Sequence, residues 1–366
     1  MKFCIFAKKI KMKKINFCAG PAMMPKTVFE QAAKAVLNYK NTGLSLLEIS
    51  HRTHWFDEII EGAFDIVREL LSLSDDYELL FLTGGASSQF YQVPFNLLAQ
   101  TQTAAHLHTG RWADKALAEA KLFGNVEMIA SSADKNFSYI PTIAKPTKDF
   151  AYLHVTTNNT VCGTQMHEMP AVDCPIVADM SSDIFSKPID ISPFGLIYAG
   201  VQKNMGPAGA TLVIIRKDML GKVKRQIPTM IDYKTHISKK SIFNTPPVFP
   251  IYCSYLTLQW IKKRGLTKIE TDNKAKAALL YGEIDRNPLF EGTTARKDRS
   301  LMNVTFRGTN SNLDDTFMKY VENAGCIGLK GHRSMGGFRA SIYNAMDMES
   351  VKTFVEILQS FEQKYG

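Results

Sequence analysis

The feature that most constrains this chain is the alternation of short apolar runs with amphipathic stretches over its first two thirds. Phe56 to Leu71 carries apolar residues at helical spacing (Phe56, Ile59, Ile60, Ala63, Phe64, Val67, Leu70, Leu71), the pattern of a helix lying on a core. Tyr77 to Leu82 then reads as a strand, and a helix follows from Ser87 with Pro94 inside it. Further strands are expected at 103–107, 126–130, 149–155, 175–178, 196–199 and 210–215, with a helix over 113–122. Short, continuously apolar strands separated by helices argue for an α/β fold, a mostly parallel central sheet covered by helices on both faces. Near residue 250 the texture changes. Helices over 251–263 and 266–286 flank Gly265, a C-cap residue. A strand (301–306), a helix (313–324), a strand (338–343) and a terminal helix (348–365) then form a smaller α+β unit. The expected organisation is a disordered extension over 1–14, a large domain over 15–262 and a small C-terminal domain over 263–366.

A length of 366 residues suits two domains. With 45% hydrophobic and 22% charged residues the chain is of ordinary globular composition, which excludes global disorder. No apolar run reaches the ~18 residues that read as a bilayer span. The formal net charge is +9, but Lys2, Lys8, Lys9, Lys11, Lys13 and Lys14 all precede the first acidic residue, Glu30. The body is therefore only mildly basic and has no stripe of the kind nucleic acid requires; anionic small molecules fit better. The six cysteines lie far apart with no C-x-x-C pair, so neither a disulfide framework nor a metal site is expected, and a reducing cytoplasm fits. The first residues are too short an apolar stretch for a secretory signal, and Met12 offers a second start.

Several segments could carry chemistry. In Tyr198-Ala-Gly-Val-Gln-Lys203-Asn-Met-Gly-Pro-Ala-Gly, glycines crowd around one lysine at a strand exit. A lysine there is either a solvated loop residue or, with its pKa depressed, an amine able to form a Schiff base. Asp179 ends a buried apolar run, as a turn residue or as a carboxylate facing a cofactor's ring nitrogen. Thr83-Gly-Gly-Ala86-Ser87-Ser-Gln joins a strand to a helix start, where backbone N–H groups and the helix dipole favour an anion. It matches neither the dinucleotide fingerprint nor the P-loop. Trp112 follows a strand end, where it is either core or a platform for a flat ring. Ser50-His51-Arg52, Lys330-Gly-His332-Arg333 and Gly336-Gly-Phe-Arg339 set cations beside glycines or turns, suited to bidentate capture of carboxylate or phosphate if they are not simply solvated.

Taken in order, G-P-A near the start, S-H-R, G-G-x-S-x-Q-F, D-M-S-S-D, Y-A-G-x-Q-K-N-x-G-P-A-G, F-N-T-P-P, K-G-H-R and G-G-F-R-A-S-I-Y-N-A resemble the phosphoserine aminotransferase family from about Ile15 to the C-terminus. The resemblance implies a fold-type I, class V enzyme using pyridoxal phosphate, with the large domain binding the cofactor, and acting as a homodimer with shared sites. It implies conversion of 3-phosphohydroxypyruvate and L-glutamate to O-phospho-L-serine and 2-oxoglutarate in serine biosynthesis, and transamination of a related four-carbon phosphate in pyridoxine biosynthesis. By the same resemblance Lys203 is the Schiff-base lysine and Asp179 the partner of the pyridine nitrogen. Trp112 stacks on the ring, and Thr160 donates to the phenolic oxygen. Ala86, Ser87 and Gln202 surround the cofactor phosphate, and Asn244 and Thr245 reach it from the other subunit. His51, Arg52, His332, Arg333 and Arg339 bind substrate anions, Arg339 taking the α-carboxylate.

Two features depart from the family pattern, Ser87 and the N-terminal extension, which carries no family motif. Many bacterial members carry arginine where this chain has Ser87. Two other readings remain open on the residues alone. A pyridoxal phosphate lyase or desulfurase would need a reactive cysteine, for which Cys326 is the nearest by position. A nucleic-acid-binding module would use the N-terminal lysines.

Overall fold

The computed structural model describes residues 14–143 and 148–366. The expected extension, and any role of its lysines in binding nucleic acid, lies outside the described residues except for Lys14. Seven strands build the central sheet in the spatial order Tyr77–Thr83, Ala210–Arg216, Phe194–Gly200, Ile176–Asp179, Leu153–Thr156, Thr103–His108, Asn125–Ser131. All neighbours are parallel except Ala210–Arg216, which runs against both of its partners. The reason is local. The connection 201–209 is too short to cross over the sheet, so the strand turns back as a hairpin. Lys203 is held in that hairpin loop.

Helix His54–Leu71 packs with Val248–Arg264 over one face of the sheet. Helices Gln89–Leu97 and Arg111–Ala120 pack over the other, against Leu80, Leu82, Val177, Leu196 and Val213. Phe194–Gly200 is buried along its whole length, as a strand covered on both sides must be. Ser72, in the left-handed conformation, ends His54–Leu71, and Gly265 at φ 79° separates Val248–Arg264 from Leu266–Arg286. Two strands are shorter than expected at their starts. Leu153–Thr156 begins after Asp149. Asn303–Gly308 begins after Leu301 because the Leu301 and Met302 N–H groups donate to Gln165 Oε1 and Ser300 Oγ instead of to a ladder.

The second sheet is antiparallel, in the order Phe290–Gly292, Asn303–Gly308, Phe338–Ser341. Phe290, Phe306, Phe317, Phe338, Phe354 and Phe361 fill the core beneath it. The chain start belongs here too: Ile15–Asn16 pairs in parallel with Cys326–Ile327, and Ile15 and Phe17 are buried in this core. The sequence pattern places these residues in the larger unit, over 15–262, and the structure packs them with the smaller one. Their alternation about the polar Asn16 makes them an edge strand that the smaller sheet's core completes. Leu266–Arg286 spans both cores, with Leu266 and Ile269 in the large one and Ala277, Leu280 and Ile284 in the small one.

Candidate active site at the carboxyl edge of the sheet

The parallel strands end on one edge, where open α/β sheets bind ligands. Asp179 is the last residue of Ile176–Asp179. Trp112 is the second residue of helix Arg111–Ala120, one turn of chain past the end of Thr103–His108. Lys203 follows Phe194–Gly200, and Ala86–Ser88 is a 3-10 turn leading from Tyr77–Thr83 into Gln89–Leu97. Four strand ends thus bring four distant segments together.

Their geometry is specific. Lys203 Nζ stands 5.9 Å from the centre of the Trp112 ring. The indole Nε1 of Trp112 donates to Thr160 Oγ1 at 3.1 Å, and the Thr160 carbonyl accepts from an Arg339 guanidinium nitrogen at 2.7 Å. One chain of contacts therefore links Lys203, Trp112, Thr160 and Arg339. Burial pushes the Lys203 amine down from its ordinary value, while Asp179 and Asp183 draw it up and Arg339 pushes it down further.

The turn after Asp179 spends nearly every side chain on fixing this geometry. Asp179 Oδ1 accepts from the Ser181 N–H at 2.9 Å, and Ser181 Oγ accepts from the Gly200 N–H at 3.1 Å. Ser182 Oγ donates to the Asn158 carbonyl at 2.8 Å, and Asn204 Nδ2 donates to the Ser182 carbonyl at 3.0 Å. The residue after the lysine is thereby tied to the turn that carries the aspartate. Gly20, of the G-P-A segment, lies against the lysine stem: a Cβ there would stand 3.4 Å from Lys203 Cγ. Gly200 leaves room for the Gln202 side chain, whose oxygen a Cβ would meet at 2.7 Å.

Pyridoxal phosphate fits these residues. Among the described residues the N–H groups of Gly85, Ala86 and Ser87 have no hydrogen-bond acceptor, and they precede the nine-residue helix Gln89–Leu97, an arrangement suited to a phosphate. Gln202 Oε1 and Arg339 Nε are buried without a partner among the described residues, as polar atoms waiting for a ligand are. Asp179, 6% exposed, keeps a carboxylate oxygen that no described residue occupies.

The remaining expected residues lie further out. His51 and Arg52 occupy the loop before His54–Leu71, with Arg52 exposed. Asn244 and Thr245 sit between Tyr233–Ser238 and Val248–Arg264, and their only described hydrogen bond joins one to the other. His332 and Arg333 lie in the loop before Phe338–Ser341, where His332 Nδ1 meets Ser334 Oγ at 2.8 Å. Burial and the cations Arg111, Arg339, Arg333 and Lys115 push the His332 imidazole down. Arg111 and Lys115 escaped the sequence reading although they flank Trp112. Lys115 Nζ is 5.2 Å from the Trp112 ring centre. Asp183 and Thr157 escaped it too, though Asp183 closes the D-M-S-S-D motif. Cys326 gives no support to a desulfurase: it is fully buried and burial pushes its thiol up to about 11, which makes it inert.

A lysine, an aspartate and an aromatic ring gathered at the carboxyl edge of such a sheet suit a pyridoxal phosphate site, and the aminotransferase class-V family model matches residues 15–354. The phosphoserine aminotransferase of Flavobacterium psychrophilum is 53% identical over 355 residues, covering 96% of this chain and 100% of that one. That of Bacteroides thetaiotaomicron is 51% identical over 356 residues, covering 96% and 99%. Among solved structures, phosphoserine aminotransferase from Bacillus circulans subsp. alkalophilus superposes with a TM-score of 0.93 at 42% identity, over 97% of this chain and 99% of that chain. The pyridoxal-phosphate-bound enzyme from Trichomonas vaginalis gives a TM-score of 0.90 at 36% identity, over 95% and 100%. The chain belongs to the phosphoserine aminotransferases, which use pyridoxal phosphate.

Proposed function

We propose that the chain transfers the amino group of L-glutamate to 3-phosphohydroxypyruvate, giving O-phospho-L-serine and 2-oxoglutarate on the route to serine. The observation that carries this reading is the placement of Lys203 against Trp112 at the sheet edge that ends in Asp179. Pyridoxal phosphate, when bound, supplies a ring that takes up the electron pair released as a proton leaves the substrate's α-carbon. Asp179 would hold its ring nitrogen, Trp112 its face, Thr160 its phenolic oxygen, and Ala86, Ser87 and Gln202 its phosphate.

The protein's own work is proton transfer and anion capture. The Lys203 amine takes the proton from glutamate Cα and, in the return half-reaction, delivers one to Cα of the incoming ketoacid. Burial lowers its pKa, so more of it is neutral near neutral pH than of a solvated lysine. Arg339 spends one guanidinium nitrogen on Thr160 and has the rest for an α-carboxylate. His51, Arg52, His332 and Arg333 take the distal anion.

Two finer assignments belong to the same reading. The enzyme works as a homodimer, in which the partner's Asn244 and Thr245 complete the phosphate site. Supporting this, Leu44, Leu47, Phe243 and Met335 are exposed on the segments that carry the distal residues. The four-carbon phosphate of pyridoxine biosynthesis is a second substrate. We place the enzyme in the cytoplasm, which suits its five free cysteines among the described residues; among those residues no helix is long and apolar enough to cross a membrane.

The test is to incubate the purified protein with pyridoxal phosphate, glutamate and 3-phosphohydroxypyruvate and to measure phosphoserine. Lys203→Ala should fold with an unchanged far-ultraviolet spectrum and lose at least about a thousandfold in turnover, the loss of a proton-transfer group and more. Absence of phosphoserine from the wild type, or substantial turnover by the variant, overturns the assignment.

A further inference from the structure

Asp183 closes the D-M-S-S-D segment. An aspartate four residues after the end of a strand is commonly a turn residue that accepts from its own backbone, as Asp179 does from Ser181. Asp183 behaves otherwise. Its Oδ1 accepts from Thr157 Oγ1 at 2.5 Å and its Oδ2 from Gln165 Nε2 at 3.3 Å. A hydroxyl-to-carboxylate distance of 2.5 Å is that of a charge-assisted bond to an ionised acceptor. Thr157 also binds the backbone of Asp179: its N–H donates to the Asp179 carbonyl at 3.1 Å. Gln165 reaches across to the smaller sheet, accepting from the Leu301 N–H at 2.9 Å. Asp183 is thus the meeting point of the Asp179 turn, the end of Leu153–Thr156 and the start of Asn303–Gly308.

We propose that Asp183 is a positioning residue that holds the Asp179 turn from behind and supplies the second negative charge facing Lys203. This deepens the reading of Lys203 and Asp179 and rests on it. The charged and titratable groups around Asp183 are few. Asp179 and Lys187 lie on its own segment, Lys203 on the hairpin loop and Tyr343 after Phe338–Ser341. His167 and Asp190 line the adjoining cavity of about 400 Å³. Lys187 donates to the His167 carbonyl at 3.1 Å and lines that cavity together with Asp183. Asp183 therefore answers to two cations, Lys187 on its own segment and Lys203, whose neighbour Asn204 donates to the Ser182 carbonyl at 3.0 Å and so holds the hairpin loop against the Asp183 turn. Burial pushes Asp183 up to about 6, and the bonds from Thr157 and Gln165 and the charge of Lys187 hold it down from going higher; above that pH it stands ionised.

The test uses the loaded enzyme and reads the pH midpoint of the bound cofactor's visible absorbance change, which reports the basicity of the lysine nitrogen. In Asp183→Asn the charge is gone and the shape kept, so the midpoint should fall by about one pH unit, the size of one charge acting at second-layer distance in a protein interior. Thr157→Val keeps the carboxylate and removes its hydroxyl donor. It should let Asp183 protonate more readily and move the midpoint the same way by less. Either variant alone suffices if the other fails to fold. A midpoint that stays put in a folded variant, with a lowered melting temperature only, overturns the proposal and leaves Asp183 a structural turn. A wild type with no lysine-dependent absorbance would instead overturn the assignment of Lys203, which keeps the two failures distinct.

Discussion

On the proposed reading, Arg339 and the cations beyond it would divide the recognition of two anionic ends. Holding a phosphate dianion takes several donors, and a charge-assisted contact contributes on the order of 1.5–3 kcal/mol. On the proposed reading the Ser87 N–H belongs to the cofactor's phosphate and its side chain is an uncharged hydroxyl, so Arg52 and Arg333 would carry more of that burden. Arg52→Ala or Arg333→Ala should raise KM for phosphoserine roughly tenfold or more, about 1.4 kcal/mol, with a smaller effect on glutamate, whose side chain bears one charge. Arg339→Ala should harm both substrates alike, since both present an α-carboxylate. Steady-state kinetics with each substrate checks this, and twofold changes or less would return Arg52 and Arg333 to ordinary solvated residues. Arg111 adds a second test. Many exposed lysines elsewhere are ion-paired, as Lys40 is with Glu58 and Lys148 with Glu127, whereas among the described residues no ion pair neutralises Arg111 or Arg333. An unneutralised rim draws anions in. Arg111→Glu places an acid at a helix start, where it favours the helix, yet kcat/KM should fall several-fold at low salt and less at high salt.

At the scale of elements, Leu266–Arg286 is the strap on which the site's far wall depends. Lys276, 2% exposed, donates to the carbonyls of Ile342, Tyr343 and Met346 at 3.0, 2.7 and 3.0 Å. One turn earlier Asn273 Nδ2 donates to Asn344 Oδ1 at 2.8 Å. The segment so held gives its Asn344 N–H to Asn204 Oδ1 at 3.1 Å, beside Lys203, and follows directly from the strand bearing Arg339. Lys276→Met strands three buried carbonyls and should cost about 2–4 kcal/mol in denaturant unfolding. It should also raise KM for both substrates through the loosened Arg339; an unchanged KM in the destabilised protein would confine Lys276 to stability. Nothing in the sequence announced Lys276, because a lysine on an amphipathic helix reads as solvated until the 342–346 turn is seen to close over it. Phe290–Gly292, three residues long, was missed, whereas the central strands were legible as unbroken apolar runs and the terminal helix by its apolar period; Met348–Tyr365 begins and ends where the pattern does. Ile15–Asn16 was not, since two residues carry no period and their partner, Cys326–Ile327, lies some three hundred residues on. Lys203, Trp112, Thr160 and Arg339, which the fold links, were singled out through motif order; the contacts that orient them, such as Thr157 with Asp183, join segments whose proximity only the fold supplies.

For the whole molecule the open question is how many chains make one site. Asn244 and Thr245 share no described contact with Lys203, Asp179 or Trp112 of their own chain, and exposed Phe243 adjoins them; both facts suit a loop that serves a neighbour. The loop of His332 and Arg333 is more evenly poised, since His332 lies within electrostatic reach of Arg111 and Arg339 of its own chain. Mixing two inactive or weakened homodimers separates the arrangements. A Lys203→Ala protomer keeps its Arg333, and an Arg333→Ala protomer keeps its Lys203. If Arg333 serves the partner's site, a heterodimer has one site with both residues intact and one with neither. Random exchange makes about half the dimers mixed, so activity at low phosphoserine should recover to about a quarter of the wild-type value, well above the average of the two parents. If Arg333 serves its own chain, every lysine-bearing site in the mixture still lacks it, and activity stays at the parental average. Subunit exchange is verified by mass spectrometry of tagged protomers, so a parental average with exchange complete excludes the shared substrate site while leaving Asn244 and Thr245 to be tested in the same way.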